Sequence, residues 1–561
     1  MAPSDLVLIS GAGPAGLVLA LALRKNGLNV RIIDCELGPR LGERGPGVSA
    51  RSLELHRILG TFPEIMAEAG SLPTLREHDP KDPYKVAIAC AFWSNTTSQQ
   101  RNIAAIGQNH HERILREHLK KLGTTVEFGS ELRTFTQFDN SVSAEIVKRD
   151  ATGKETNEKA EVAWLIGADG GRSVVRKTLG VSFLGETRDG QEMVLADLKI
   201  HGTPSKFWDL WGSRETKWVR QRPSSQDPDV VSLMLLGKVD GDELVKDPTA
   251  LVDELHAVIG RRDIKFGEVI WCSKYRPNIR MVDTLRVGRV FLAGDAAHCH
   301  PFSGGQGLNS SIQDSFNLAW KLALVHKGVA NVALLDTYGE ERLPVIAQML
   351  NKTTELLKYT LLDPRGTATQ PTEAEIRKDM NQLGVNYRGS SLVYHEPSKE
   401  DAAFVKGIGY NRSSETDALP GDRAPEAPGL VRQGSKGPTT SLFDVFSPSH
   451  HTALVFSGVN TTAATIEPII EALQSQPLDT VRGVLVVSDL SLDSFANTSV
   501  NLDLTLVDRE GHAFRGYHVQ DRPESPLVVV VRPDGVIGAR FRGSEGITHY
   551  FNVIFNGPSS Q

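Results

Sequence analysis

The run Leu6-Val7-Leu8-Ile9-Ser10-Gly11-Ala12-Gly13-Pro14-Ala15-Gly16, followed by Leu17-Val18-Leu19-Ala20-Leu21-Ala22-Leu23, decides how the chain begins to fold. The short apolar run Leu6–Ser10 reads as a buried strand. The stretch after the glycines is apolar all round, which predicts a buried helix, and Gly27 is placed to end it in a left-handed cap. A second strand, Val30–Ile33, runs to Asp34. Strand, glycine turn, helix, strand and acid in this order predict a dinucleotide-binding unit. Gly11 permits the tight turn, Gly13 lets a pyrophosphate approach the backbone, and Gly16 allows close packing of helix on strand. Pro14 and Ala15, between these glycines, are further candidate cofactor contacts, and the N-terminus of the helix that follows offers free N–H groups and a positive dipole end to phosphates. Asp34 can accept hydrogen bonds from a ribose hydroxyl. Glycines can also simply mark a tight turn, and GxGxxG does not decide between NAD and FAD.

Two later segments repeat the theme of a strand ending in Gly and Asp. Trp164-Leu165-Ile166-Gly167-Ala168-Asp169-Gly170-Gly171-Arg172 is the first. The second is Arg289-Val290-Phe291-Leu292-Ala293-Gly294-Asp295-Ala296-Ala297-His298, continuing through Pro301 to Gly304-Gly305-Gln306-Gly307-Leu308-Asn309 and a helical pattern over Ile312–Val325. An Asp at a strand end can bind a polyol, and a glycine loop brings backbone N–H groups to a flat polar ring.

With all three motifs in this order, the chain resembles the class A (single-component) flavoprotein aromatic hydroxylases, and especially the phenol hydroxylase branch. The resemblance spans nearly the whole chain. It implies FAD as cofactor and NAD(P)H as co-substrate, with Asp169 in the segment associated with both and Asp295 on the flavin ribityl chain. Pro301, Gly305, Gly307, Leu308 and Asn309 would line the isoalloxazine. Arg44, in Gly42-Glu43-Arg44-Gly45-Pro46-Gly47, matches an arginine near the pyrophosphate, and Gln108 matches a glutamine that contacts FAD. A single GxGxxG disfavours the Baeyer–Villiger and N-hydroxylating classes, which carry two. The lack of a WxWxIP segment disfavours a halogenase.

The implied reaction places one oxygen atom of O2 on a phenolic substrate through a flavin C4a-hydroperoxide, which needs a dry pocket. Strand-like segments at Glu192–Ile200, Trp218–Gln221 and Val230–Leu236 form, by resemblance, a mostly antiparallel sheet over the flavin. Trp208, Trp211, Trp218 and Met234 are candidate wall residues, although aromatic and Met side chains are more often plain core. Tyr275 resembles the active-site tyrosine of phenol hydroxylases; the bland reading is a half-buried strand residue. The acid that those enzymes carry in the Arg44 loop is replaced here by Pro46, so no general base is named. Two alternatives stay open: an oxidative decarboxylase or dearomatising enzyme acting on a phenolic acid or polyketide, and a non-catalytic flavin-binding protein.

The rest of the chain sets limits. At 561 residues it predicts two or three domains. A net charge of -6 argues against a nucleic-acid surface. No window offers about 20 uninterrupted apolar residues, and the start lacks a basic leader, so neither a membrane span nor a signal peptide is expected. The four cysteines, Cys35, Cys90, Cys272 and Cys299, are widely spaced, which suits a reducing, cytoplasmic setting. His298, Cys299 and His300 point alternately to opposite faces of an extended chain, and His110-His111-Glu112 lacks an HExxH frame, so no metal site is expected.

The expected fold is α/β and α+β multidomain. Residues 1–185 and 284–400 form a Rossmann-like FAD-binding domain of the para-hydroxybenzoate hydroxylase type, the latter part with further helices. Residues 186–283 form an antiparallel substrate sheet, and 401–424 a linker within a Pro-, Gly- and Ser-rich stretch from Pro364 to Asp422. Residues 425–561 resemble a thioredoxin-like domain. That domain holds no cysteine, so it cannot exchange thiols, and a structural or dimerisation role is expected. A homodimer is implied only by the resemblance.

Overall fold

The structure, a computed structural model, describes residues 5–45, 47–70, 73–90, 103–187, 192–201, 206–361, 381–396, 407–410, 417–435, 437–458, 461–488, 502–519 and 525–556. Pro46 and much of the expected linker lie outside the described residues.

A six-stranded sheet forms the first layer, in the spatial order Arg286–Val287, Val290–Leu292, Trp164–Gly167, Leu6–Ser10, Asn29–Asp34 and Val126–Phe128. All its neighbours pair in parallel except Arg286–Val287. Parallel strands are buried on both faces, and Val7, Leu8, Ile9, Leu165 and Ile166 are wholly buried. Helix Pro14–Lys25 packs against the long helix Gln306–His326. Burying each of its leucines contributes about 1.5–3 kcal/mol. The register decides the function. Ser10 pairs with Gly167 and Gly167 with Leu292, so the three glycine corners leave the sheet side by side from its carboxyl edge, where open α/β sheets bind ligands.

A seven-stranded sheet lies over that edge, in the order Lys265–Tyr275, Met193–His201, Val230–Gly237, Lys217–Pro223, Trp208–Gly212, Leu75–Asp79 and Asp82–Cys90. Its pairs are antiparallel apart from Trp208–Gly212 with Leu75–Asp79. The hairpin Leu75–Cys90 therefore joins the substrate sheet, although it precedes the 186–283 segment expected to supply it. Helix Pro248–Ile259 covers the face turned away from the first sheet, packing Leu251, Leu255 and Ile259 against Trp211, Val219 and Leu233.

A third sheet closes the chain. His451–Phe456, Val481–Ser488 and Leu504–Asp508 run parallel, Leu527–Val531 pairs antiparallel with His451–Phe456, and Ile537–Arg542 follows it through a turn at Gly535 (φ +68°). Helices Ala463–Gln474 and Glu545–Asn556 pack on it. Two sequence expectations need correction. Tyr394–His395, assigned to the flavin domain, adds a parallel strand to this sheet. The described part of the linker near residue 422 is also not a surface excursion. Asp422 and Ala424 are wholly buried, Arg388 binds Asp422 through two hydrogen bonds of 2.7 Å, and Ala424 N–H donates to Gly535 O. Local composition cannot reveal such burial, because the partners come from both neighbouring domains.

No helix among the described residues is long and apolar enough to cross a membrane.

Candidate active site

A cavity of about 480 Å³ lies between the three glycine corners and the inner face of the seven-stranded sheet. Each corner has a physical reason for its glycines. A Cβ on Gly11, which has φ +105°, would fall 2.2 Å from Ala168 O, and one on Gly16 would fall 2.0 Å from Gly11 O. These two hold the turn against its neighbours. A Cβ on Gly13 would meet nothing within 4 Å. That position opens directly into the cavity with Pro14 and Ala15, and no side chain caps the helix N-terminus that it starts. The first turn therefore offers unpaired N–H groups to an anion.

The third corner supplies the opposite rim. Gly294 and Ala296 are buried, but Asp295 between them is exposed to the cavity. Gly305 (φ +62°) begins helix Gln306–His326 with no side-chain cap, and Gly305, Gly307, Leu308 and Asn309 all line the cavity. Asn309 fastens the rim: its Nδ2 donates to Gly305 O (2.8 Å) and Gly47 O (3.2 Å), and its Oδ1 accepts from Ser49 N (2.7 Å). Arg44 and Gln108 complete the wall. Arg44 sits in the left-handed region (φ +40°), and its guanidinium lies over the Trp271 ring, 5.1 Å from its centre. Gly42 is required beside it, since a Cβ there would fall 2.6 Å from the same indole. Burial, with Arg40 nearby, pushes the Arg44 pKa down, so the site favours an anion that would restore it.

Three predicted cofactor residues stand one step behind this wall. Asp34 is buried and accepts from Ala12 N (2.8 Å) and Glu36 N (3.0 Å), tying the glycine turn to the second strand. Asp169 accepts from Val174 N (2.7 Å) and Val175 N (3.2 Å) at the start of the next short helix, and burial raises its carboxyl. Its neighbours Ala168 and Gly170 face the cavity instead. Pro301 is buried, and its carbonyl accepts from His300 Nδ1 at 2.6 Å. His300 and Phe302, on either side, are the residues that line.

The substrate-sheet candidates divide by the two-residue period of a strand. Trp208 and Met234 line the cavity. Trp211 is a correction: an odd number of residues from Trp208, it turns to the far face and stacks on His78 with ring centres 4.8 Å apart. Trp218 shares the cavity-side cluster with Trp208, Met193 and Leu236 but is buried away from the opening. The sequence reading missed Leu195, Arg220 and Trp271, which line the same face. Alternation counted back from Tyr275 through Ser273 would have found Trp271.

Tyr275 lines the cavity, and its hydroxyl donates to His300 O at 3.0 Å. Burial, with Asp295 and Cys299 nearby, raises its pKa well above the usual phenol value. It stays a neutral hydroxyl. In the histidine–cysteine run, His298 serves the frame, its Nε2 bonding Asp314 at 2.7 Å, while His300 and Cys299, whose thiol reaches Asp295 O at 3.5 Å, line the cavity.

Comparison with known proteins agrees with this geometry. Residues 5–353 match the FAD binding domain family. A flavin-dependent monooxygenase of Mycobacteroides abscessus is 35% identical over 80% of this chain and 88% of its own length. Pentachlorophenol 4-monooxygenase of Sphingobium chlorophenolicum is 30% identical over 95% of this chain and 93% of its own. Among solved structures, the flavin-dependent monooxygenase PieE in complex with FAD and substrate aligns over 99% of both chains with a TM-score of 0.77, at 23% identity, which speaks to the fold.

Proposed function

The chain belongs to the flavin-dependent monooxygenases built on the FAD binding domain, and we propose that it hydroxylates a phenolic aromatic compound with O2, drawing electrons from NAD(P)H. The observation that carries this reading is the meeting of three glycine corners on one cavity whose far wall is Trp208, Met234 and Tyr275. The open space at Gly13 and the uncapped helix ends are what a pyrophosphate and a flat polar ring require. On this reading the turn around Gly13 holds the FAD pyrophosphate with Arg44, Asp295 takes the polyol chain, and Gly305 to Asn309 face the ring. Asp34 and Asp169 act by holding backbone. Bound FAD would accept the reducing electrons and activate O2. The protein's own share is to orient the ring, exclude water and hold the phenolic oxygen.

Tyr275 is the proposed contact to that oxygen. With its proton committed to His300 O, it accepts a hydrogen bond from the substrate hydroxyl and does not serve as a base. Tyr275→Phe is expected to lower kcat/KM by about tenfold to a hundredfold, the worth of one or two buried hydrogen bonds, with FAD content unchanged. Because the Tyr275 phenol is raised, the loss should be equal across the range from about pH 6 to about 9. Steady-state rates across that range check this.

The two sheet faces give a second expectation. Trp208→Ala should raise KM for the phenol by about tenfold, the value of a buried aromatic contact. Trp211→Ala should leave KM unchanged but lower stability by about 3–5 kcal/mol. The test of the function itself is to add FAD to purified protein and follow NAD(P)H oxidation with a panel of phenols. Phenol-stimulated oxidation is expected, and a colourless protein that takes up no FAD would end the reading.

A further inference from the structure

We propose that Asp314 and Ser315, adjacent on helix Gln306–His326, set the spacing between the first and third glycine corners, and that the C-terminal domain serves the reaction by bracing that helix. This rests on the reading of the cavity as the flavin site. The Ser315 hydroxyl lies 2.8 Å from Ala15 O, at the first corner, and 2.9 Å from Ser311 O on its own helix, so its one proton bridges the two carbonyls. Asp314 Oδ2 accepts from Gly294 N at 3.1 Å, at the third. Gly294 fits between them with little slack, since a Cβ there would lie 2.8 Å from Ser311 Oγ and 3.0 Å from Ala15 Cβ. Neither Asp314 nor Ser315 lines the cavity. Both are positioning residues that act through backbone atoms.

Behind Asp314 runs a fully buried chain of charges. Arg342 Nε donates to Asp314 Oδ1 at 2.8 Å, and Arg342 also reaches Tyr387 Oη (2.9 Å) and Ser310 O (3.3 Å). Its neighbour Glu341 accepts from Lys321 (2.7 Å) and Asn317 (2.6 Å) on the same long helix. Glu341 also accepts two bonds, of 2.6 and 2.9 Å, from Arg532 of the C-terminal domain. Arg532 is in turn held by Asp534, whose carboxylate also takes the Trp320 indole N–H at 3.4 Å. Lys321, Arg342 and Arg532 lie among the carboxylates of Asp314, Glu341 and Asp534, and His298 Nε2 also reaches Asp314 at 2.7 Å. Geometry this specific in a low-dielectric interior resists displacement. The C-terminal domain, which has no cysteines, thereby contributes through Arg532, which holds Glu341 on helix Thr337–Leu361 and through it the helix Gln306–His326 that spaces the flavin corners.

Holoenzyme variants test the inference by the rate of FAD release, read from flavin fluorescence, and by the flavin visible spectrum. Ser315→Ala and Arg532→Lys, each folded by circular dichroism, are expected to release FAD at least about tenfold faster with a shifted visible band, the cost of one well-formed buried hydrogen bond. Ser315→Thr should restore the wild-type rate. Asp314→Asn should exceed both; should it fail to fold, the other two variants decide. Folded Ser315→Ala and Arg532→Lys that release FAD at the wild-type rate with unchanged spectra would overturn the inference while leaving the flavin site intact. A wild-type protein that binds no FAD would instead overturn the site assignment, and this inference with it.

Discussion

Gly13→Leu is expected to give a folded protein that holds no flavin. Gly13 has φ -75°, which any L-residue adopts, and its added Cβ would meet no protein atom within 4 Å. The leucine is therefore accommodated by the chain, and its bulk occupies the space in front of the uncapped helix end. FAD affinity should fall at least about a hundredfold, ~3 kcal/mol. The stabilisation that a bound ligand adds, about 4 kcal/mol at a thousand times its Kd, should vanish with it. Gly16→Ala is the contrasting variant. Its Cβ would fall 2.0 Å from Gly11 O, so the helix must shift, and the apo-protein itself should lose about 1–3 kcal/mol. Thermal melts of both variants with and without FAD separate the two effects. A Gly13→Leu protein that still melts higher with FAD would refute the cradle.

Glu341→Ala is expected to cost more stability than any substitution lining the cavity. Glu341 is wholly buried and compensates Lys321 and Arg532 at once. Removing it leaves Lys321 without an anion and Arg532 with Asp534 alone in a low-dielectric interior, a penalty of about 3–5 kcal/mol, out of a total near 5–15 kcal/mol for a typical domain. Burial alone would raise this carboxyl, but the charges of Arg532 and Lys321 hold it far below the usual range. A group depressed in the folded state contributes its stability above its unfolded value, about 4.3, and loses it as pH falls towards the folded one. The gap between wild type and Glu341→Ala, measured by urea unfolding, should therefore be largest at neutral pH and shrink in acid. A gap that stays constant into acid would contradict the assignment of charge to Glu341.

The sequence made the flavin side of the molecule legible because its signals are local. Strand, glycines and helix occupy adjacent positions from Leu6 to Gly27, and the pattern Ile312–Val325 lies inside one continuous helix. Which face a side chain takes was less accessible. Trp208 and Trp211 look equivalent in composition, yet the strand period sends one to the cavity and the other under helix Pro248–Ile259. Asp34 and Asp169 hold backbone N–H groups behind the wall, and the Pro301 carbonyl there holds the His300 ring. The brace was invisible. No motif marks Glu341 or Arg342, and Arg532 lies 191 positions from its partner, a separation at which no spacing rule operates.

Oxygen-isotope labelling tests the central claim most directly. The holoenzyme is supplied with NAD(P)H, a phenol that stimulates its oxidation, and heavy-isotope O2, and the product is weighed by mass spectrometry. The product should carry one heavy oxygen atom more than the phenol, with the second atom recovered in water. An unaltered phenol, with hydrogen peroxide formed in step with the NAD(P)H consumed, would contradict the account.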